Sequence, residues 1–420
     1  MELTKVRIHS ARLQTSIEQL AVFGRNEKGG LDRTTFTPAE LAAREWLKQQ
    51  LQELPLDVKI DQAANIWAKR SGTEKTLPVI AFGSHIDTVP NGGKYDGALG
   101  VLTALEIMRV LEEENIQTRH PLELVSFTAE EPNPFGLSTF GSRALTKKLT
   151  RKDLEGVKDP EGRLLTEALK SAGGDAEHFE KAVRTPEEFS AFLEVHIEQG
   201  KRLLNRHIPV GIVTAITGIY REEVMVVGEA NHAGTTLMED RKDALTAASE
   251  IILALETVCR QHRANEVVGT VGKITVRPNA ANIIPEEVTF TLEIRGKMRE
   301  EIQEVISAWQ ERVKEIKNLR CVQVERRVLL DQAPAPMDGQ VIQVMQKQAG
   351  ILGYPSHLLG SMAGHDAAHM TSITRSGMLF VPSIGGKSHC PDEESRIEDI
   401  EKAANVLLHT ILELDQQLDS

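Results

Sequence analysis

Residues 77–97 read LPVIAFGSHIDTVPNGGKYDG. The apolar run LPVIAF is short and continuous and ends at Gly83, the pattern of a buried strand. A glycine-rich turn follows, carrying His85, Asp87 and Asp96. Next comes LGVLTALEIMRVLEEEN, spaced as an amphipathic helix. Strand, turn and helix in that order make one unit of an α/β fold, and the loop after a parallel strand is where such folds place ligands and chemistry. Histidine with carboxylates is also the donor set of a zinc or manganese site. In isolation the stretch fits a hydrogen-bonded turn equally well, so its meaning depends on the rest of the chain.

Beyond it, LELVSFTAEE and FLEVHIEQG read as further strands of a largely parallel sheet. From about residue 212 the pattern changes. EEVMVVGEA is a strand, DALTAASEIILALETVCRQHR a helix, EVVGTVGKITVRP and EVTFTLEIRG two strands, REEIQEVISAWQERVKEIKN a helix and CVQVERRVLL a last strand. The order β-α-β-β-α-β is that of a ferredoxin-like module complete in itself. After DQAPAPMDG the chain returns to a helix, the strand GMLFVPSI and a final long helix. The expected fold is therefore α/β: a mainly parallel-sheet domain with helices on both faces, formed by residues 1–211 and 331–420, with the smaller module inserted at 212–330. The charged, weakly periodic stretch from 143 to 190 is expected to supply helices and loops covering the sheet.

A length of 420 residues agrees with two cores. With 40% hydrophobic and 26% charged residues the composition is that of an ordinary globular protein. A net charge of −12 disfavours general affinity for nucleic acid or anionic lipid and points to a small-molecule partner. Cys259, Cys321 and Cys390 are widely spaced and odd in number, as expected of a reducing compartment. The start, MELTKVRIHSARLQTSIEQLAVFG, lacks the apolar core of a signal peptide, and no run approaches the ~20 apolar residues of a membrane span. A cytoplasmic protein is the expectation.

Four more segments repeat the peculiarity of the first. SFTAEEPNPFG carries Glu130 and Glu131, FLEVHIEQG carries His196 and Glu198, MAGHDAAHM carries His365 and Asp366, and SIGGKSHCPDEE carries His389. Clusters at several strand ends of one parallel sheet converge on one edge. The glutamate pair fits a dinuclear hydrolase, in which one carboxylate binds metal while the other accepts a proton from water.

Together, GSHIDTVPNGGKYDG, FTAEEP, EVHIEQG, EANHAGTT, NAANIIP, LEIRG, GHDAAH and FVPSIGGKSHCPDE resemble the dinuclear amidohydrolases of the aminoacylase and carboxypeptidase G superfamily. Within it they are similar to the branch of N-carbamoyl-L-amino-acid hydrolases, allantoate amidohydrolases, ureidoglycolate amidohydrolases and β-ureidopropionases. The resemblance spans about residues 80–395.

It implies two divalent metal ions, zinc or manganese with cobalt or nickel as alternatives. His85 and His196 would hold the two different metals, Asp96 would bridge them, and Glu131 and His389 would complete the shell. Asp87 would orient His85. Glu130 would be the general base, and His232 would stabilise the oxyanion, reaching in relatives the active site of a partner subunit in a homodimer. Arg295 would offer the substrate carboxylate a planar fork, with Asn282 and Gln199 as polar companions. His365 would contact substrate or hydrogen-bond Asp366. The inserted module would then serve as dimerisation domain and lid. The implied reaction cleaves a terminal ureido group from a small carboxylate, as in purine and pyrimidine degradation. An aminoacylase or dipeptidase, or a non-catalytic relative, are the alternatives; the imidazole of His196 disfavours the peptidase branches, which resemble one another in using a carboxylate there. Pro132 and Leu237 depart from the family pattern without removing a functional group, whereas Cys390 replaces a small polar residue after His389, a change that bears on burial rather than function.

Overall fold

The computed structural model describes residues 5–264 and 266–418. They form two compact units. One runs to Thr214 and resumes at Met337–Leu359 and from His365; the other is Ala215–Pro336 with Gly360–Gly364.

In the first unit, the strands Asp57–Ile60, Ile66–Arg70, Leu122–Phe127, Val79–His85, Phe189–Ile197, Arg375–Val381 and Val210–Ile216 lie side by side in that order. The four from Leu122–Phe127 to Arg375–Val381 are mutually parallel, and the flanking pairs are antiparallel. Every residue of Val79–His85, Leu122–Phe127 and Phe189–Ile197 is buried, so both sheet faces are covered, and an apolar run replaces the alternation of a half-solvated strand. The helix Ala98–Glu113 packs Leu99, Leu102 and Leu105 into a core with Ile80, Phe82, Leu193 and Leu379. The stretch 140–190 carries two short α-helices, Phe140–Leu145 and Leu165–Ser171, and three 3-10 turns, and Phe140, Leu165 and Leu169 join Phe135 and Phe179 in a separate cluster.

Parallel pairing decides the placement of chemistry. His85 closes one strand, His196 lies at the end of its neighbour, and Glu130 and Glu131 follow Phe127, so their residues leave the same edge of the sheet.

The second unit has the order strand Gly218–Val227, helix Ala244–Gln261, strands Val268–Arg277 and Glu287–Gly296, helix Arg299–Arg320 and strand Gln323–Gln332. The sheet is antiparallel, with Gln323–Gln332 and Val268–Arg277 at its edges. Gly218–Val227 and Glu287–Gly296 alternate strictly in burial, and their buried sides pack with both helices around the fully buried Trp309. Among the described residues no helix is long and apolar enough to cross a membrane.

Candidate metal centre

His85 is 1% exposed. Its Nδ1 lies 3.1 Å from the Asp87 carbonyl oxygen and 3.4 Å from Asp87 Oδ1. The other nitrogen, Nε2, has no hydrogen-bond partner among the described residues; it stands 3.6 Å from Asp96 Oδ1 and 3.7 Å from Glu130 Oε2. A buried ring nitrogen aimed at two carboxylates too distant to bond could hold a metal ion, since an unmet polar group is costly in the interior.

Asp87 holds more than the ring. Its carboxylate accepts Thr35 Oγ1 at 2.9 Å and the backbone N–H groups of Glu130 and Glu131 at 3.3 and 3.1 Å. Burial pushes its carboxyl up, but the contact with His85, aided by Thr35 and Glu131, outweighs burial and holds it below the ordinary carboxylate range. One side chain thus orients the histidine and anchors both glutamates. The bend before them is tight: Ala129 sits at φ +54°, a left-handed conformation costly for a residue with a Cβ. Gln199 and His389 share it, at +57° and +56°, which concentrates backbone strain at the cluster.

Asp96 stands at the centre. Its Oδ1 is 3.1 Å from His196 Nε2, and its Oδ2 is 3.4 Å from His389 Nε2. Oδ2 also accepts Gln199 Nε2 and Ser388 Oγ, each at 2.7 Å. His389 Nε2 is 3.1 Å from Glu131 Oε1. Among the described residues three groups could hold an ion: His85, Asp96 and His196; Asp96, Glu131 and His389; and Glu194, His196 and His365, and the first two share Asp96. The expectation that His85 and His196 serve different metals is therefore corrected: the strands carrying them are adjacent and parallel, which brings both imidazoles to the same oxygen of Asp96. Asp96 belongs to both of the first two groups.

The electrostatics suit cations. Burial raises the Asp96 carboxyl, yet the imidazoles of His196, His389 and His85 drive it well below its usual range. Hydrogen bonds to Asp96 and Glu131 raise the His389 imidazole to about 11. Burial first, then the negative charges of Glu131, Asp366 and Asp87, push the Glu130 carboxyl well above the ordinary value despite the opposing pull of His85. Crowded carboxylates around imidazoles are a nitrogen and oxygen shell matched to zinc or manganese.

His365 stacks edge-on against His196, with ring centroids 4.5 Å apart, and burial together with the His196 charge drives its imidazole well below the usual range. Asp366 accepts Ser142 Oγ at 2.5 Å. Glu194, two residues before His196, accepts Ser84 Oγ at 2.6 Å and the Ala367 N–H at 3.2 Å. Thr35, Glu194 and Ser388 escaped the sequence reading. Ser388 and Glu194 had a signal in their adjacency to histidine ligand candidates, whereas Thr35 lies 52 residues from Asp87 and had none.

Three expected residues belong to the second unit. His232 is exposed and pairs with Ile283 in a short ribbon, next to Asn282, whose carbonyl accepts the Ala233 N–H at 3.0 Å. His232 Nδ1 accepts the N–H groups of Gly234 and Thr235 at 3.0 and 3.2 Å, so a neutral ring carries its proton on Nε2. Arg295 donates from Nε to Glu293 at 2.6 Å and from Nη1 to the Met362 carbonyl at 3.0 Å.

Residues 81–413 match the family described as peptidase family M20/M25/M40. An N-carbamoyl-L-amino acid amidohydrolase of Geobacillus stearothermophilus is 38% identical over 97% of this chain and 99% of its own. An allantoate amidohydrolase of Bacillus subtilis is 36% identical over 99% of this chain and 100% of its own. The crystal structure of a hydantoinase/carbamoylase family amidase from Burkholderia multivorans superposes with a TM-score of 0.89 at 31% identity, covering 97% of this chain and 98% of that one.

Proposed function

This chain belongs to peptidase family M20/M25/M40, and within it we propose an amidohydrolase that cleaves the ureido C–N bond of a small carboxylate such as allantoate or an N-carbamoyl-L-amino acid. Water adds to the ureido carbonyl, and the products are ammonia, carbon dioxide and an amine-bearing acid. The observation that carries the reading is Asp96, shared by two donor sets with Glu130 beside them, in a chain so similar to a carbamoylase and an allantoate amidohydrolase over nearly its whole length.

His85 and His196 would hold one divalent ion and Glu131 and His389 a second, with Asp96 between. Such ions, zinc or manganese first and cobalt or nickel next by donor type, acidify water and polarise the carbonyl when bound. Glu130 takes the proton from the attacking water and passes it to the departing nitrogen; its raised carboxyl suits both duties. His232, with its proton on Nε2, offers a donor to the oxyanion. Arg295, held by Glu293 and the Met362 carbonyl, presents its fork to the substrate carboxylate, while Gln199, Asn282 and His365 supply further polar contacts. Resemblance to relatives supports a homodimer in which His232 serves the partner's site, the inserted module acting as dimerisation domain and lid. The three free cysteines accord with a cytoplasmic location.

The test is ammonia release by manganese-loaded protein, with a chelated control, from allantoate, ureidoglycolate, N-carbamoyl-L-amino acids, N-carbamoyl-β-alanine and N-acetyl-amino acids. Metal-dependent release from a ureido acid is expected. Hydrolysis of the acetyl compounds alone would move the protein to the aminoacylases, and silence throughout would leave a non-catalytic relative. Mixing His232→Ala with Glu130→Gln chains is expected to restore activity through hybrid dimers; no gain over either parent would remove the shared site.

A further inference from the structure

Glu393 lies four residues beyond His389 and is 3% exposed. Its Oε1 accepts the backbone N–H groups of Tyr95 and Asp96 at 2.9 and 3.0 Å. Its Oε2 lies 3.0 Å from Ser388 Oγ, the hydroxyl that donates to Asp96 Oδ2 at 2.7 Å. The Glu393 N–H returns to the Cys390 carbonyl at 3.1 Å, closing a turn directly after His389. One buried carboxylate therefore spans two segments nearly 300 residues apart, the turn that carries Asp96 and the loop that carries His389. The fit leaves no slack: a Cβ on Gly93 would stand 2.2 Å from Glu393 Oε1, so the backbone passes this carboxylate at a distance only glycine allows.

A purely local role would need no such reach. His85 and His196 stand on adjacent strands, and the sheet ladder sets their separation. No ladder joins Asp96 to His389. Both lie in loops, His389 with a left-handed backbone and a half-exposed side chain. The set formed by Asp96, Glu131 and His389 is thus the one whose geometry requires a tie from outside the sheet.

We propose that Glu393 is a positioning residue that locks the His389 loop to the Asp96 turn: the set of Asp96, Glu131 and His389 depends on it for two ligands, whereas in the set of His85, Asp96 and His196 the sheet fixes both histidines and only Asp96 depends on it. The inference rests on the reading of these residues as two donor sets for divalent ions. It makes reach and acceptor geometry the properties that matter at position 393. Glutamine keeps both, whereas aspartate keeps the charge but is one methylene too short.

The experiment measures zinc affinity of metal-free protein by competition with a chromophoric chelator in two backgrounds, each removing one of the two sets that share Asp96, with Glu194→Gln in both to remove the group of Glu194, His196 and His365. In His85→Ala protein, Glu393→Ala and Glu393→Asp are expected to weaken zinc binding by about tenfold or more, the scale of losing a partner that orients ligands, and Glu393→Gln by no more than about threefold. In His389→Ala protein, where Asp96 alone depends on Glu393, the losses of the alanine and aspartate variants are expected to be at least about threefold smaller than in His85→Ala protein. Glutamine and aspartate variants alone decide the matter if the alanine variant does not fold. Equal losses in both backgrounds, no loss in His85→Ala protein, or a glutamine variant as weak as the aspartate one would each overturn the inference. Absence of zinc binding in His85→Ala protein with Glu393 intact would overturn the two-set reading, and this inference with it.

Discussion

Gly97→Ala tests whether the cluster is as tightly built as its distances imply. Gly97 follows Asp96, lies at φ +64°, and donates its N–H to His196 Nε2 at 3.1 Å. A Cβ there would stand 2.2 Å from His85 Cε1, 2.3 Å from Nε2 and 2.4 Å from Nδ1. Carbon contacts settle near 3.5–4.0 Å, so the ring or the turn must move by about 1 Å. His85 cannot yield freely, being buried and held at Nδ1 by Asp87. The left-handed backbone costs about 1–2 kcal/mol and the overpacking about 1–3 kcal/mol, giving about 2–5 kcal/mol lost by the metal-free protein in urea denaturation. Displacement of a reacting constellation by about 1 Å is worth about 100-fold in turnover, read as ammonia release by metal-loaded protein. Gly136→Ala is the control: it shares a left-handed φ of +71° but has nothing within 4 Å, so it is expected to lose only the backbone share and to keep its activity. A Gly97→Ala protein with turnover within about threefold of the parent and no greater loss of stability than the control would refute the reasoning.

Other substitutions separate the roles assigned above. Glu130→Gln is expected to retain both metal ions, measured by elemental analysis, while kcat falls about 10²–10⁴-fold; near-normal kcat would remove it as the base. Arg295→Ala is expected to raise KM for carboxylated ureido acids about 10–100-fold, the value of a charge-assisted fork, and an unchanged KM would exclude the fork. Metal loading is expected to release protons near neutral pH, because His389 in the metal-free protein holds its proton up to about 11 and a ligand must be neutral. Since that pKa is raised, its contribution to the stability of the metal-free protein is complete below the unfolded value near 6.5 and fades as pH rises toward about 11. Calorimetry in buffers of different ionisation enthalpy reads the release, and binding without protons would contradict it. Trp309→Ala, which empties the core of the second unit and strands the Ile251 carbonyl that accepts Nε1 at 3.0 Å, is expected to cost about 3–5 kcal/mol in chemical denaturation; a loss below about 1 kcal/mol would mean that this core does not hold the unit together.

Much of the fold was legible in the sequence. Local rules sufficed for the elements: continuous apolar runs became the buried parallel strands, alternating ones the half-buried strands of the second unit, and the order β-α-β-β-α-β survived intact. His85, Asp96, Glu131, His196 and His389 were singled out because ionisable residues at the ends of apolar strands are rare, and folding gathers them into one cluster. Spacing along the chain could not divide them between two sets. That division follows from which strands are neighbours: Val79–His85 pairs with Phe189–Ile197, and so His85 joins His196.

Long-range partners were invisible for a related reason. Thr35 on Asp87 and Glu393 on the Asp96 turn are ordinary residues in their own neighbourhoods; they acquire meaning only where distant segments meet. Periodicity and residue chemistry act over a few positions, and from them come the strands, the helices and the candidate residues at the strand ends, while the roles given to those residues come from the family resemblance. Register, the choice of neighbouring strand and the side chains that clamp loops are settled by packing across hundreds of residues, which no local pattern encodes.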